Sequence, residues 1–417
     1  MKRTSTTGAT LAGPSRIKLH DQLAAVIRAQ FPAAVRLRRH LHQYPELAFA
    51  EHQTGETIAA ELKRIGCQVM TGVGRTGVLG ILESGQDGPV AAVRSDMDAL
   101  PVKEQTGLTF ASKNNGVMHA CGHDAHMSLV VSTAAVMAKM RPHWAGTVKF
   151  IFQPSEEVLP GGALGMIADK VLEHPSVNTI FGLHVDPWIP VGRMGVKDGV
   201  MMAQTDDFDL TVIGQPAHVA RPHQGCDAIY VASQIVTALQ SVVSRNTDPL
   251  QPAVLSIGKM EGGSARNIVA DSVRIEGTVR ALDVKAAKHI RRRLEKVANG
   301  VAKALGGRIK LDYLVGNPPL INAKSVNDLY RRAARQAFGA KAIVEITEPV
   351  MGGEDFAHYL RHVPGAMMRL GVRNPVIGAQ FAWHHPAFTI DENALEIGMR
   401  IICGALLYHQ NSTLTTG

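Results

Sequence analysis

The chain has 417 residues, 45% hydrophobic and 19% charged, with a mean hydropathy of +0.01. That balance supports two or three domains with sizeable cores and excludes disordered and collagen-like chains. Lys and Arg outnumber Asp and Glu by 44 to 36, giving a net charge of +8 and a pI near 9.3, but the excess is spread out rather than blocked. The start, with Lys2 and Arg3, has a basic region but no apolar run behind it, so no secretory signal is expected. Residues 1–14 read as a disordered leader. Four scattered cysteines, Cys67, Cys121, Cys226 and Cys403, form no CxxC pair and suit a reduced, cytoplasmic setting.

Residues 21–65 read as helices, with Pro32 suited to a first helical turn and Gly66 to a stop. Short apolar runs at 78–82, 90–93, 148–152 and 180–183 read as strands, with helical stretches near 124–140 and 162–173 between them. The most apolar stretch, Met127 to Met140, falls short of the ~18 to 20 residues that span a bilayer, so no membrane association is expected. The order implies an α/β layer with a mostly parallel sheet and helices on both faces. From 203 to 315 the rhythm becomes strand, helix, strand, strand, helix, strand, the α+β ferredoxin-like signature. In its second helix, Ile290, Leu294, Val297, Val301 and Leu305 make one buried stripe, so Arg291, Arg292 and Arg293 read as a solvated face. No nucleic-acid reading motif accompanies them, and none is expected as a partner. A helix at 324–338, a strand near 342–346, a helix from 354, a strand at 366–370 and a helix at 392–409 resume the α/β pattern. The smaller domain, 203–315, is therefore inserted into a larger one formed by 15–202 and 316–417.

Polar residues gather just after the strands of the larger domain: Asp96 and Asp98, Glu156 and Glu157, and His184 at a strand end. Ligands of open α/β sheets bind outside the carboxyl ends of strands, so these segments point to one crevice. In MHACGHDAH, Cys121, His123, Asp124 and His126 fall within six positions at a loop-to-helix junction. Thiolate and imidazole two residues apart suit zinc, cobalt, manganese or nickel. The competing reading is a helix N-terminus, with Asp124 as dipole partner and a buried cysteine. In QPSEE, adjacent carboxylates on extended chain would face opposite ways and divide metal binding from proton transfer, unless Ser155 is a helix cap with both acids in the first turn. With His184, and with His384 and His385 in WHHP, the set has the composition of a two-metal site.

RSDMDALP, MHACGHDAH, QPSEE followed by GGA, GLHV, AHVARPH, GGEDFAHY and HHPAF occur in the order and spacing of a known family. The chain resembles, over residues 30–409, the aminoacylase and carboxypeptidase family of two-metal peptidases. Its subgroup is that of hippurate hydrolases, N-acyl-amino-acid amidohydrolases and indoleacetyl-amino-acid hydrolases. The resemblance implies a metal-dependent amidohydrolase that cleaves the amide bond of a small-molecule N-acyl amino acid with metal-activated water. A dipeptidase or carboxypeptidase using the same centre is the alternative. It implies two divalent ions (Zn, Mn, Co or Ni) per subunit, held by Cys121, His123, Glu157, His184 and His384 with Cys121 bridging, and Glu156 as general base. Asp98 would orient or tune a ligand, and Asp96 stands where many relatives have a ligating His, between ligand and supporting roles. The inserted domain would be a lid and dimerisation module of a homodimer or dimer of dimers, with His218 polarising the scissile carbonyl and Asn267 and Arg280 holding substrate. Three departures from the family pattern touch lid and substrate rather than metal: Gln215-Pro216 before the lid histidine, Ala270 where proline is common, and Gly353 where serine is common.

Overall fold

The computed structural model describes residues 14–411, so the expected leader, Pro14 apart, lies outside the described residues. The chain divides into two units, one of 14–199, 322–347 and 358–411, the other of 200–321 and 348–357. The second thus includes Glu348–Ala357, which the sequence reading gave to the larger domain.

The first unit opens with α1 (Pro14–Gln43) and α2 (His52–Ile65). Pro32 lies in the interior of α1, not in a first turn. The backbone hydrogen bond lost there is offset by a stripe on both sides of it, with Leu23, Ile27, Ala34 and Leu41 buried. Next come β1 (Gln68–Val73), β2 (Gly77–Glu83), β3 (Val90–Asp96), α3 (His123–Lys139), β4 (Thr147–Gln153), α4 (Ala163–Ala168), β5 (Thr179–Pro190) and β6 (Met194–Val196). β7 (Gly199–Met202) leads into β8 (Gln204–Ile213), α5 (Ala228–Asn246), β9 (Ala253–Gly262), β10 (Ser272–Ala281), α6 (Val284–Ala304) and β11 (Arg308–Val315). The chain ends with β12 (Leu320–Asn322), α7 (Lys324–Phe338), β13 (Ile343–Glu345), β14 (Gly365–Arg373) and α8 (Asn393–Gln410). Among the described residues no helix is long and apolar enough to cross a membrane.

The first unit is built on an eight-stranded mixed sheet ordered β1-β2-β4-β3-β5-β14-β6-β13. β3 runs parallel to both β4 and β5, and β5 parallel to β14. Every residue of β3 and β4 is buried, which is why these strands read as continuous apolar runs. β1 escapes that reading because four of its six residues are exposed. The parallel register puts the loops after β3 and β4 on one edge of the sheet, beside β5. Two expected helices are shorter or tighter than read. Residues 162–173 contain only α4, and the helix expected from 354 is a 3-10 segment, Asp355–Arg361. There the Glu354 carboxylate accepts the Phe356 N–H at 3.0 Å, a local bond that competes with regular helical pairing.

The second unit has the antiparallel order β11-β8-β10-β9, with α5 and α6 supplying the helices of the βαββαβ pattern. Asp227 and Asp283 cap those helices by accepting N–H groups two and three residues on. Ala228, Val231, Ile235 and Leu239 of α5 pack with Ile290, Leu294 and Ala298 of α6 over Leu210, Val273 and Ile275 of the sheet.

Candidate metal centre

Four pieces of backbone deliver the donors of the first unit: the turn at Gly122, the loop after β4, β5 and the segment of His384. Cys121 and His123 flank Gly122, which has φ 89°, and a Cβ there would lie 2.5 Å from Val185 Cγ2. Only glycine admits both the left-handed turn and that approach to β5. His123 opens α3, and its Nδ1 donates to the Asp98 carbonyl oxygen at 2.8 Å, which leaves Nε2 as the nitrogen that can face a metal. His184 likewise donates Nδ1–H to the Val185 carbonyl oxygen at 2.7 Å, and its Nε2 faces Cys121 Sγ at 3.5 Å. His184 lies within β5 rather than at its end, since the strand continues to Pro190.

Glu156 and Glu157 do not sit on extended chain. Ser155 has φ 50°, turning the backbone as it leaves β4. The turn is held from two sides. The Ser155 N–H donates to buried Glu51 Oε1 at 2.9 Å, while Asp98 Oδ1 and Oδ2 accept the N–H groups of Glu156 and Glu157 at 2.9 and 3.0 Å. Asp98 therefore works twice, its carboxylate clamping the glutamate loop and its carbonyl orienting His123. Gly162 closes the loop, its N–H donating to Ser155 O, and a Cβ on it would lie 1.9 Å from Pro154 O. His384 reaches in from the other side. Its N–H donates to Ala120 O at 2.9 Å, and its Nε2 lies 3.4 Å from Glu157 Oε1.

Of the sets of donor atoms that fall within 4.8 Å of one another among the described residues, three are built wholly from Cys121, the paired glutamates and the expected histidines: Cys121, His123 and His184; Cys121, Glu157 and His384; His123, Glu156 and Glu157. Cys121 belongs to the first two, the position of a bridge. Two buried atoms in these sets, His123 Nε2 and Glu157 Oε1, have no hydrogen-bond partner. An unpartnered polar atom costs about 1–3 kcal/mol to bury, and a metal cation that displaced the His123 proton would engage both. Together these sets offer one thiol, three imidazoles and two carboxylates, which suits a transition-metal ion.

The electrostatics agree. Burial opposes charge on His123, but Asp96, Asp98 and Glu157 outweigh it and push its pKa up to about 10. Burial, followed by Glu157, Glu156 and Asp96, drives the Cys121 thiol well above its usual value. Burial, with His126 and Arg369, holds His184 well below its usual value and so neutral. The pocket is thus rich in negative potential and attracts cations, which compete with protons for His123 and Cys121.

Supporting residues that sequence reasoning did not pick out surround these donors. Arg38 and His42, one turn apart on α1, bind Asp124 Oδ2 at 2.7 and 2.9 Å and fix the first turn of α3, and His42 also meets Glu104. Their signal was two polar residues inside the apolar stripe of α1. Trp383 donates Nε1–H to Val185 O at 3.0 Å and packs edge-to-face on His184 with ring centroids 5.1 Å apart. His119 is buried with neither ring nitrogen partnered, and burial lowers its pKa to about 4.

In the second unit, His218 and Ile268 form a β-bridge, and the Val219 N–H donates to Asn267 O, so His218 and Asn267 are close. Both are exposed. Arg280 is not with them. Asn267 precedes Ser272, the first residue of β10, while Arg280 is the penultimate residue of that strand, roughly 26 Å further along at about 3.3 Å per residue. Of the three departures, one has a clear packing account. A Cβ at Gly353 would lie 2.4 Å from Thr205 Cγ2 and 2.8 Å from its Oγ1, so the threonine fills the place of a side chain at 353.

Residues 92–408 match the sequence profile of peptidase family M20/M25/M40. The chain belongs to that family. It is 41% identical to N-acetyl-L-cysteine deacetylase of Bacillus subtilis over 86% of this chain and 84% of that protein. It is 35% identical to IAA-amino acid hydrolase ILR1-like 4 of Arabidopsis thaliana over 88% of this chain and 83% of that protein. Its fold matches that of YXEP of Bacillus subtilis, a dinuclear metal-binding M20 peptidase, with a TM-score of 0.79 and 34% identity, covering 92% of this chain and 99% of that one. This M20 member thus carries, in its first unit, donor sets able to hold a metal ion.

Proposed function

We propose that this M20 protein is a metal-dependent amidohydrolase that cleaves the amide bond of N-acyl amino acids. The carrying observation is the pair of donor triads that share Cys121 and contain two buried polar atoms without hydrogen-bond partners. In this reading Cys121, His123, Glu157, His184 and His384 hold two divalent cations, drawn from Zn, Mn, Co and Ni. When bound, such ions act as Lewis acids that bring water toward ionisation at neutral pH and polarise a carbonyl. Glu156 serves as general base. Its backbone is pinned by Asp98, and its carboxylate lies within 4.8 Å of His123 and Glu157 donor atoms, so it takes a proton from water and returns it to the leaving amine. Asp98 is a positioning residue, because it sets both Glu156 and His123. The names of the deacetylase and the IAA-amino acid hydrolase support a small acyl amino acid as substrate.

His218 and Asn267 contact the substrate carbonyl, and Arg280 a substrate carboxylate, in a homodimer whose second unit serves as lid. The separation of Arg280 from His218 along one sheet supports sharing between subunits, since one copy of the unit does not present both to one small molecule. Four cysteines without a disulfide fit a cytoplasmic setting.

The test is direct. Protein dialysed against a strong chelator, then reconstituted with Zn, Mn, Co or Ni, is assayed for amine release from acetyl, benzoyl and indoleacetyl amino acids and from dipeptides. Activity is expected to vanish on chelation, to return with metal, and to favour acyl amino acids. Full activity in verified metal-free protein overturns the mechanism, and a preference for dipeptides overturns the substrate class.

A further inference from the structure

We propose that His126 is a positioning residue that sets the spacing between the two ligand-bearing elements, α3 and β5, with Asp96 as its anchor. The inference rests on the metal reading above, and it assigns His126 and Asp96 a task other than coordination.

Asp96, His123 and His126 also bring donor atoms within 4.8 Å of one another, and by composition they could form a further cation site. The hydrogen bonds decide otherwise. The Val185 N–H donates to His126 Nε2 at 2.9 Å, so that nitrogen carries its lone pair toward the backbone and the ring proton is on Nδ1. Nδ1 lies 2.7 Å from Asp96 Oδ1 and donates to it. Both ring nitrogens are spent. The other Asp96 oxygen accepts from Arg94 Nη1 at 2.8 Å, and Arg94 Nε donates to Gln153 Oε1 at 3.0 Å. All four side chains are buried, so no solvent competes for these bonds.

The bond to Val185 fills a gap in the sheet. β3 pairs with β5 only as far as Arg94 opposite Gly182, and beyond that point β5 has lost that neighbour. His126 supplies the acceptor that a strand would have offered. It stands three residues after His123 on α3, on the same side of the helix. Val185 directly follows His184. One imidazole therefore ties the helix that carries one donor to the strand that carries another, and its ring centroid is 5.4 Å from that of His123 and 4.7 Å from that of His184. The Val185 carbonyl receives Nδ1–H of His184 and Nε1–H of Trp383, so His126 fixes one end of the same residue whose other end orients the ligand. Metal–nitrogen bonds of about 2.0 Å tolerate little drift between donors, and supporting hydrogen bonds of this kind are worth about 10- to 100-fold in metal affinity.

Two near-isosteres separate the roles of the two ring nitrogens. The amide of His126→Gln reaches the Nε2 position and keeps an acceptor for Val185. That of His126→Asn reaches only the Nδ1 position, keeping a donor to Asp96 and losing Val185. Binding of Zn²⁺ and Co²⁺ is measured by competition with a chromophoric chelator, with ion stoichiometry by elemental analysis and the Co²⁺ visible absorption spectrum as readouts, and folding is checked by circular dichroism. His126→Asn is expected to keep two ions per chain while weakening the tighter one about 10-fold or more and changing the Co²⁺ spectrum. His126→Gln should stay within about threefold of the parent. Asp96→Asn, which still offers an oxygen to Nδ1–H, should also keep two ions. Loss of one whole ion in Asp96→Asn or His126→Asn would make these residues ligands and overturn the proposal. So would a folded His126→Asn with unchanged affinity and spectrum. If His126→Asn does not fold, the stoichiometry of Asp96→Asn and the affinity of His126→Gln decide. Parent protein that binds no divalent cation defeats the metal reading itself, an outcome separate from the others.

Discussion

Most candidate donors of the first unit and the candidate substrate contacts of the second sit in opposite surroundings. In the first, Asp96, Asp98, His123, His126 and Asp124 are each about 1% exposed or less, and a shared network sets their positions. In the second, His218 and Asn267 stand exposed, and ion pairs such as Arg274 with Asp209 lie on the sheet surface with side chains about half accessible. Burial makes a hydrogen bond consequential, because an unpaired group has no water to turn to. In the proposed mechanism, proton transfer and metal binding, which need fixed atoms, fall mostly to buried residues of the first unit. The same proposal gives contact with a substrate or a second subunit, which needs open surface, to exposed residues of the second.

The sharpest test of that division is in the buried unit. Glu156→Gln is expected to keep its metal and lose at least about 100-fold in kcat, the usual scale of general-base catalysis, whereas Glu157→Gln loses metal occupancy. Elemental analysis beside steady-state kinetics reads both, and the reverse pattern would exchange the two assignments.

Asp124→Asn comes next. It removes the nearer of the two carboxylates that Arg38 meets, Glu392 Oε1 remaining at 3.2 Å, which should cost about 1.5–3 kcal/mol of unfolding free energy in denaturant titrations of the metal-free protein. Arg274→Ala on the exposed sheet should leave the melting temperature unchanged within error. The pH dependence carries a sign. Burial alone would raise the Asp124 pKa, but Arg38 and His42 hold it far below the usual carboxylate range. Its stabilisation is thus complete above about pH 4 and is lost as pH falls toward the folded value, so the variant should show a shallower acid-induced loss of stability than the parent. Equal slopes would remove Asp124 from that account.

The smallest effect tests the exposed unit. If His218 acts on a partner's site, His218→Ala and Glu156→Ala homodimers are inactive alone, while equal mixtures allowed to reassociate recover about a quarter of parental activity. Half of the dimers are then hybrids, each with one competent site of two. Hybrid dimers that form and remain inactive would place His218 within its own subunit or in a structural role.

Much of this was legible before folding. The buried parallel strands announce themselves as apolar runs because both faces are covered, and the donor motifs stand out because Cys, His and paired Glu are rare neighbours in such loops. The helix stop at Gly66 was also readable, since its left-handed φ of 94° is the conformation a C-terminal glycine adopts. β1 was not, because an exposed strand has no alternating pattern to betray it.

What sequence by itself determined is the inventory: the α/β layer, the inserted βαββαβ unit and the residues able to bind metal. Only the tertiary structure decided how that inventory is used. It carried α1 through Pro32 by packing a stripe on either side, and turned Glu156 and Glu157 out of extended chain through Ser155. It spent both nitrogens of His126 on Val185 and Asp96, and set Arg280 far along β10 from Asn267. The reason is that identity and spacing limit which atoms a residue can offer, while a hydrogen bond is made to whatever the fold brings within about 3 Å, from segments far apart in the chain.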